Sequence, residues 1–173
     1  MKPPKVGQTP QNDEGGLLAP LNAPAAVSMA RKDFLLSRRY QDQQLRAVYD
    51  GAHPLIVDFT RAFVKEAARY SIPIFSHCVV RDEDEQMRLY SQGRSKAVFG
   101  RSPHNYGMAT DLVHGTRAWN LERAEWDFLG VLGKEVARKR GIKVEWGGDW
   151  EFYDPAHWEL LDWRKESHNY PFL

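Results

Sequence analysis

Residues 102–111 read Ser102-Pro103-His104-Asn105-Tyr106-Gly107-Met108-Ala109-Thr110-Asp111, and the segment changes character halfway. Its first half, with a proline, an asparagine and a glycine, reads as a loop. Its second half opens a strand predicted over Ala109–Val113. Side chains alternate along a strand, so Ala109, Asp111 and Val113 share one face and a small residue precedes the carboxylate there. Gly107, at the junction, lets two backbones approach closely. Further on, Asp154-Pro155-Ala156-His157-Trp158-Glu159 places a carboxylate three residues before a histidine.

These residue types suit a catalytic zinc site, which takes three protein ligands and leaves a fourth position for water. The chain has one cysteine, Cys78, so a cysteine-rich site is excluded and imidazole and carboxylate remain. His104, Asp111 and His157 supply two of the first and one of the second. Asp154 keeps another carboxylate near without forcing it to ligate. Residue types alone leave this set open, because six histidines and 23 acids also form such sets by chance. Cys78, beside Phe75, Val79 and Val80, is expected as a small buried core residue.

Outward from these segments, the order is helices, strand, helix, strand, helix, strand, strand. Residues 28–50 read as helix, with neither Pro nor Gly before Gly51. Pro54 stands in the first turn of a second helix, whose Ile56, Phe59, Phe63, Ala67 and Tyr70 recur every three or four residues. Pro73 ends it. Ile74–Val80 reads as a strand, Asp82–Ser91 as a short helix, and 92–103 as a loop carrying Arg94, Lys96 and Arg101. Asn120 is the expected cap of a long helix with Trp126, Leu129, Leu132 and Val136 on one face and Gly141 past its end. Lys143–Trp146 and His157–Leu161 are short strands. The mixture predicts an α+β fold, with helices packed on a small, largely antiparallel sheet.

The 173 residues fit one domain with a real core. Five prolines and three glycines in residues 1–27 predict a flexible arm ahead of a domain over 28–173. A net charge of +1 gives no general pull toward nucleic acid or a membrane surface. No stretch is apolar enough to span a membrane, and polar residues interrupt the first 27 too often for a secretory signal. Synthesis in the cytoplasm and a monomer are expected.

The first segment resembles the S-x-H-x-x-G-x-A-x-D motif of the zinc D-alanyl-D-alanine carboxypeptidase and L-alanyl-D-glutamate endopeptidase family. The second is similar to that family's E/D-x-x-H motif. Arg81 with Gln86, Leu89 and Tyr90 resembles its R-x-x-x-x-Q-x-x-L-Y helix start. Gln92–Ser95 and Glu145–Trp150 look most like the phage-endolysin branch. The likeness covers about residues 30–162.

The resemblance implies a hedgehog- and DD-peptidase-like fold and zinc held by His104, Asp111 and His157. It makes Asp154 the general base, with Arg81 stabilising the oxyanion or holding substrate. Ser102, Gln86 and Trp150 are implied around the substrate. Zinc would activate water and polarise the scissile carbonyl. The implied substrate is the peptidoglycan stem peptide, cut between L-alanine and D-glutamate, after release to the wall through a pore made by another protein. Two alternatives stand beside it. One is a D,D-carboxypeptidase or dipeptidase of the same family. The other is a zinc-binding module without catalysis, as in the hedgehog signalling domain. Of the remaining histidines, His114 lies nearest the motif. Glu159, on the same strand face as His157, is expected to support that ligand. Trp150, Tyr153 and Trp158 flank the site.

Overall fold

A computed structural model describes residues 23–170. Its centre is one antiparallel sheet in the order β1-β2-β4-β3, made of β1 (Ile74–Cys78), β2 (Ala109–His114), β3 (Val144–Trp146) and β4 (His157–Leu160). The register sets Asp111 opposite His157 and Ala109 opposite Glu159. Directly opposed residues share a sheet face, so the acid and the imidazole must meet, with small Ala109 leaving room beside Glu159. On the other side Asp111 pairs with Cys78, after a register shift between Ser76 and Cys78. Such bulges re-aim side chains beside functional sites.

The opposite sheet face is the core. Trp158, 1% exposed, stacks on Trp146 and meets the rings of Phe59 and Phe63. Those two phenylalanines come from α4 (Pro54–Arg69), whose apolar stripe is buried as the spacing predicts, although Tyr70 falls past the helix end and is 38% exposed. Across from α4 runs α6 (Arg123–Arg140), burying Trp126, Leu129, Leu132 and Val136. Gly133 of α6 faces Trp158; a Cβ there would lie 2.5 Å from the indole. The α+β architecture and the antiparallel sheet are therefore as the sequence indicates.

Elsewhere the local reading needs correcting. Residues 28–50 are not one helix but parts of three short ones: α1 (Ala23–Met29), α2 (Lys32–Leu35) and α3 (Arg38–Gln44). Ser37 starts α3 afresh, its side chain accepting from the Tyr40 N–H at 3.2 Å. The arm expected over residues 1–27 lies outside the described residues up to residue 22, and its last five residues are helical. Helix α6 starts at Arg123 with Glu122 as its cap, not Asn120, because Glu125 reaches back to the Glu122 N–H at 2.7 Å. Helix α5 (Glu83–Ser91) is capped by Asp82. A short helix α7 (Trp163–Glu166) follows β4. No helix of the described residues is long and apolar enough to cross a membrane.

Candidate metal centre

His104 rides on a 3-10 turn, Pro103–Tyr106, that ends at Gly107 with φ +61°. Only glycine fits there: a Cβ would lie 2.6 Å from Ala52 Cα and 2.8 Å from the Gly51 carbonyl oxygen. Asn105 ties this turn down. Its Oδ1 accepts from the Gly100 and Ser102 N–H groups, and its amide nitrogen donates to the Arg81 carbonyl at 3.0 Å. The turn and the start of α5 are thus fixed to one another.

Three ligand atoms converge. His104 Nε2 lies 3.2 Å from Asp111 Oδ1, His157 Nδ1 lies 3.1 Å from the same oxygen, and the two nitrogens are 3.3 Å apart. Ligands tetrahedrally placed at about 2.0–2.1 Å from one ion are themselves about 3.3 Å apart. The three atoms already have that spacing. The far nitrogens are occupied as well. His104 Nδ1 is 2.9 Å from the Val79 carbonyl oxygen, and His157 Nε2 is 2.9 Å from Glu159 Oε2. Both partners are acceptors, so each far nitrogen carries the hydrogen and each near nitrogen offers a lone pair.

Asp111 divides its oxygens. Oδ1 faces the imidazoles and Oδ2 accepts from Arg81 at 3.2 Å. Burial opposes its charge, but His104 and His157 outweigh burial and hold it well below the usual carboxylate range. Conversely, burial opposes a charge on His104, yet Asp111 prevails and pushes its pKa up to about 10. His157 is raised in the same way, chiefly through its bonds to Asp111 and Glu159 once burial is overcome. Without a metal the cluster therefore holds protons, which a cation would displace.

Asp154 reaches the centre from the loop before β4, where its backbone is clamped. Its N–H donates to the Gly147 carbonyl at 3.0 Å, and its carbonyl accepts from the His157 N–H at 3.1 Å. Gly147 permits that approach, since a Cβ there would lie 2.3 Å from the Asp154 carbonyl oxygen. Burial raises the Asp154 carboxyl above its ordinary pKa, and the charge of Asp111 adds to this. A proton acceptor beside a cation site is poised better by such a shift than by an ordinary carboxylate.

The other predicted positions separate by depth. Trp150 is half-buried, its ring 5.2 Å from that of His157. Arg81 donates to Asp111 and, at 3.2 Å, to Gln86 Oε1. Gln86 is fully buried and holds the following loop through Ser95 Oγ and the Ala97 carbonyl. Ser102 is 5% exposed and caps the His104 turn from beneath. Trp158 belongs to the core and does not flank the site. His114 is no ligand: fully buried, it faces the Met29 carbonyl through Nε2 at 2.8 Å and accepts the Thr116 and Arg117 N–H groups at Nδ1.

Cys78 departs from expectation. It is half-buried rather than fully buried, and its Sγ lies 3.7 Å from His104 Nδ1. Cys78, His104 and Asp111 also bring ligand atoms within 4.8 Å of one another. The thiol approaches the imidazole edge already given to Val79, however, so the set with His157 is the better cation site. Two supports had no sequence signal. Asn105 acts through loops far apart in the chain, and Trp163 donates to Glu159 Oε1 at 2.9 Å from α7.

The D-alanyl-D-alanine carboxypeptidase family profile matches residues 96–160, which include His104, Asp111, Asp154 and His157. Over 126 residues the chain is 34% identical to the peptidoglycan L-alanyl-D-glutamate endopeptidase CwlK of Bacillus subtilis (strain 168), covering 63% of this chain and 73% of that protein. The crystal structure of Serratia marcescens L-Ala D-Glu endopeptidase ChiX is similar with a TM-score of 0.56 at 27% identity, covering 75% of this chain and 91% of that one. The chain belongs to the family of D-alanyl-D-alanine carboxypeptidases and L-alanyl-D-glutamate endopeptidases.

Proposed function

We propose that this protein is a zinc-dependent endopeptidase that hydrolyses the L-alanyl-D-glutamate bond of peptidoglycan stem peptides. The observation that carries the proposal is the convergence of His104 Nε2, Asp111 Oδ1 and His157 Nδ1 at 3.1–3.3 Å, with both imidazoles turned to offer lone pairs. The choice of bond is supported by the two endopeptidase relatives.

In this reading His104, Asp111 and His157 hold the metal. Zinc, when bound, supplies Lewis acidity toward water and the scissile carbonyl. Asp154 takes the proton from the attacking water and passes it to the leaving amine; its raised pKa lets it hold that proton in between. The Arg81 guanidinium faces the developing oxyanion. Gln86 and Asp111 orient its guanidinium, Ser102 supports the His104 turn, and Trp150 lines the approach. The peptidase domain, proposed over residues 28–173, is preceded by residues 23–27, which belong to α1. An endolysin-like role, with release to the wall through a pore made by another protein, completes the proposal. It rests on the Gln92–Ser95 and Glu145–Trp150 segments.

Digestion of purified peptidoglycan with zinc-loaded protein, read by mass spectrometry, tests the assignment. New L-alanine C-termini and D-glutamate N-termini are expected. Release of free D-alanine alone would make the protein a carboxypeptidase. No cleavage with zinc bound would make it a binding module.

A further inference from the structure

A chain of contacts runs from Asp111 into the loop that carries Lys96. Arg81 donates to Asp111 Oδ2 at 3.2 Å and to Gln86 Oε1 at 3.2 Å. Gln86 donates to Ser95 Oγ at 2.8 Å and to the Ala97 carbonyl at 2.6 Å, which fixes the backbone on both sides of Lys96. The Lys96 ammonium lies 3.5 Å from the centroid of the Phe152 ring. Phe152 stands two residues from Asp154 and two from Trp150, whose ring is 5.2 Å from that of His157. His157 Nδ1 returns to Asp111 at 3.1 Å. Lys96 to Phe152 is the link between two exposed side chains, and it has no hydrogen bond. It is the link that opens most easily.

The substrate supplies a reason to open it. Glutamate has two carboxyl groups and the peptide continues through one, so the residue after the scissile bond carries a free carboxylate. Zinc, when bound, is committed to water and the scissile carbonyl, and Arg81 is engaged by Asp111 and Gln86. An incoming carboxylate needs another cation. Among the described residues Lys96 faces an aromatic ring and forms no ion pair with a carboxylate. Arg94, in the same loop, exerts its charge on His77 and Glu85, toward β1 and α5.

We infer that Lys96 is a specificity residue that leaves Phe152 to pair with the free carboxylate of the D-glutamyl residue on the leaving side of the bond. This inference rests on the endopeptidase reading above. A ring face attracts an ammonium weakly, whereas a carboxylate offers a full opposite charge and a hydrogen bond. Phe152 holds the ammonium until substrate arrives.

Two synthetic L-alanyl-D-glutamyl peptides test this, one with the free glutamyl carboxylate and one with a carboxamide in its place. Wild-type protein should favour the carboxylate in kcat/KM by about fivefold or more at low ionic strength, and less at high salt. Lys96→Gln should bring that ratio to about one, and Lys96→Glu should invert it. Phe152→Leu, which removes the ring and keeps the ammonium, should retain the preference. The inference is overturned if Lys96→Gln keeps the wild-type ratio, or if Phe152→Leu abolishes it. Equal cleavage of both peptides by the wild type would remove the inference and leave the endopeptidase reading standing. Cleavage of neither would remove both.

Discussion

Replacing Glu159 with glutamine keeps volume but breaks a matched set of hydrogen bonds, and the outcome can be worked out from the geometry. Glu159 is 5% exposed, with one oxygen 2.9 Å from His157 Nε2 and the other 2.9 Å from Trp163 Nε1. Two donors face two acceptors. A carboxamide has one acceptor and one donor, so one contact must fail. If the amide oxygen stays on Trp163, its NH2 faces His157 Nε2 and favours the tautomer protonated at Nδ1, the nitrogen turned toward Asp111. Zinc affinity should then fall by about 10–100-fold, the usual effect of losing a ligand's outer partner. If the oxygen stays on His157, its NH2 meets the Trp163 N–H, and a buried donor left without an acceptor costs about 1–3 kcal/mol. Chelator competition reads the first outcome, and denaturant unfolding of the zinc-free protein reads the second. One loss of this size must appear. The reasoning fails if zinc affinity stays within about twofold and zinc-free stability stays within about 0.5 kcal/mol.

Asp154→Asn should retain zinc, measured by elemental analysis, while turnover falls by about 10² or more; loss of the metal would show instead that Asp154 is a ligand. Gly133→Ala should lower stability in denaturant unfolding. Its Cβ would lie 2.5 Å from Trp158 and 2.7 Å from Phe63, and overpacking of about 1–3 kcal/mol exceeds the roughly 1 kcal/mol helix gain. His114 sets a pH dependence. Burial lowers its pKa from the ordinary 6.5 and its Met29 contact only partly offsets this, so the unfolded chain takes up the proton first. Its contribution to stability should be complete above about pH 6.5 and be lost as the pH falls. The unfolding free energy of wild type minus His114→Gln should therefore be flat above that pH and decline below it; a flat difference throughout would contradict the burial argument.

Legibility of the fold tracked the range of the interactions that decide each element. The stripes of α4 and α6 are repeated several times within one helix, so periodicity alone revealed them. The stretch from Ser28 to Asp50 held no proline or glycine, and its breaks come from contacts made elsewhere. The Arg31 N–H donates to the Ser71 carbonyl at 2.7 Å, and Tyr40 donates to the Ile74 carbonyl at 3.0 Å. Ser37 then caps a new helix, which a serine can do in any helical stretch that tertiary contacts interrupt. The start of α6 lies past Asn120 for a related reason. Glu125 is held by Ser28 of α1 and by Arg117 as well as by its own cap. That network favours Glu122 over a better intrinsic cap at Asn120.

At the centre, the ligating residue types were legible and their orientation was not. Which nitrogen each histidine presents depends on the Val79 carbonyl and on Glu159, and Glu159 depends in turn on Trp163. Apolar neighbours in sequence point to a core position for Cys78, yet the bulge between Ser76 and Cys78 turns it toward His104. The meeting of Asp111 with His157 depends on strand register, and a one-residue slip of β4 would put Trp158 on the site face and His157 into the core. What prevents that slip lies on the far face. Trp158 is locked against Trp146, Phe59 and Phe63, in a space that Gly133 keeps clear. The apolar packing of one indole therefore holds a polar imidazole, one residue away, opposite its carboxylate partner.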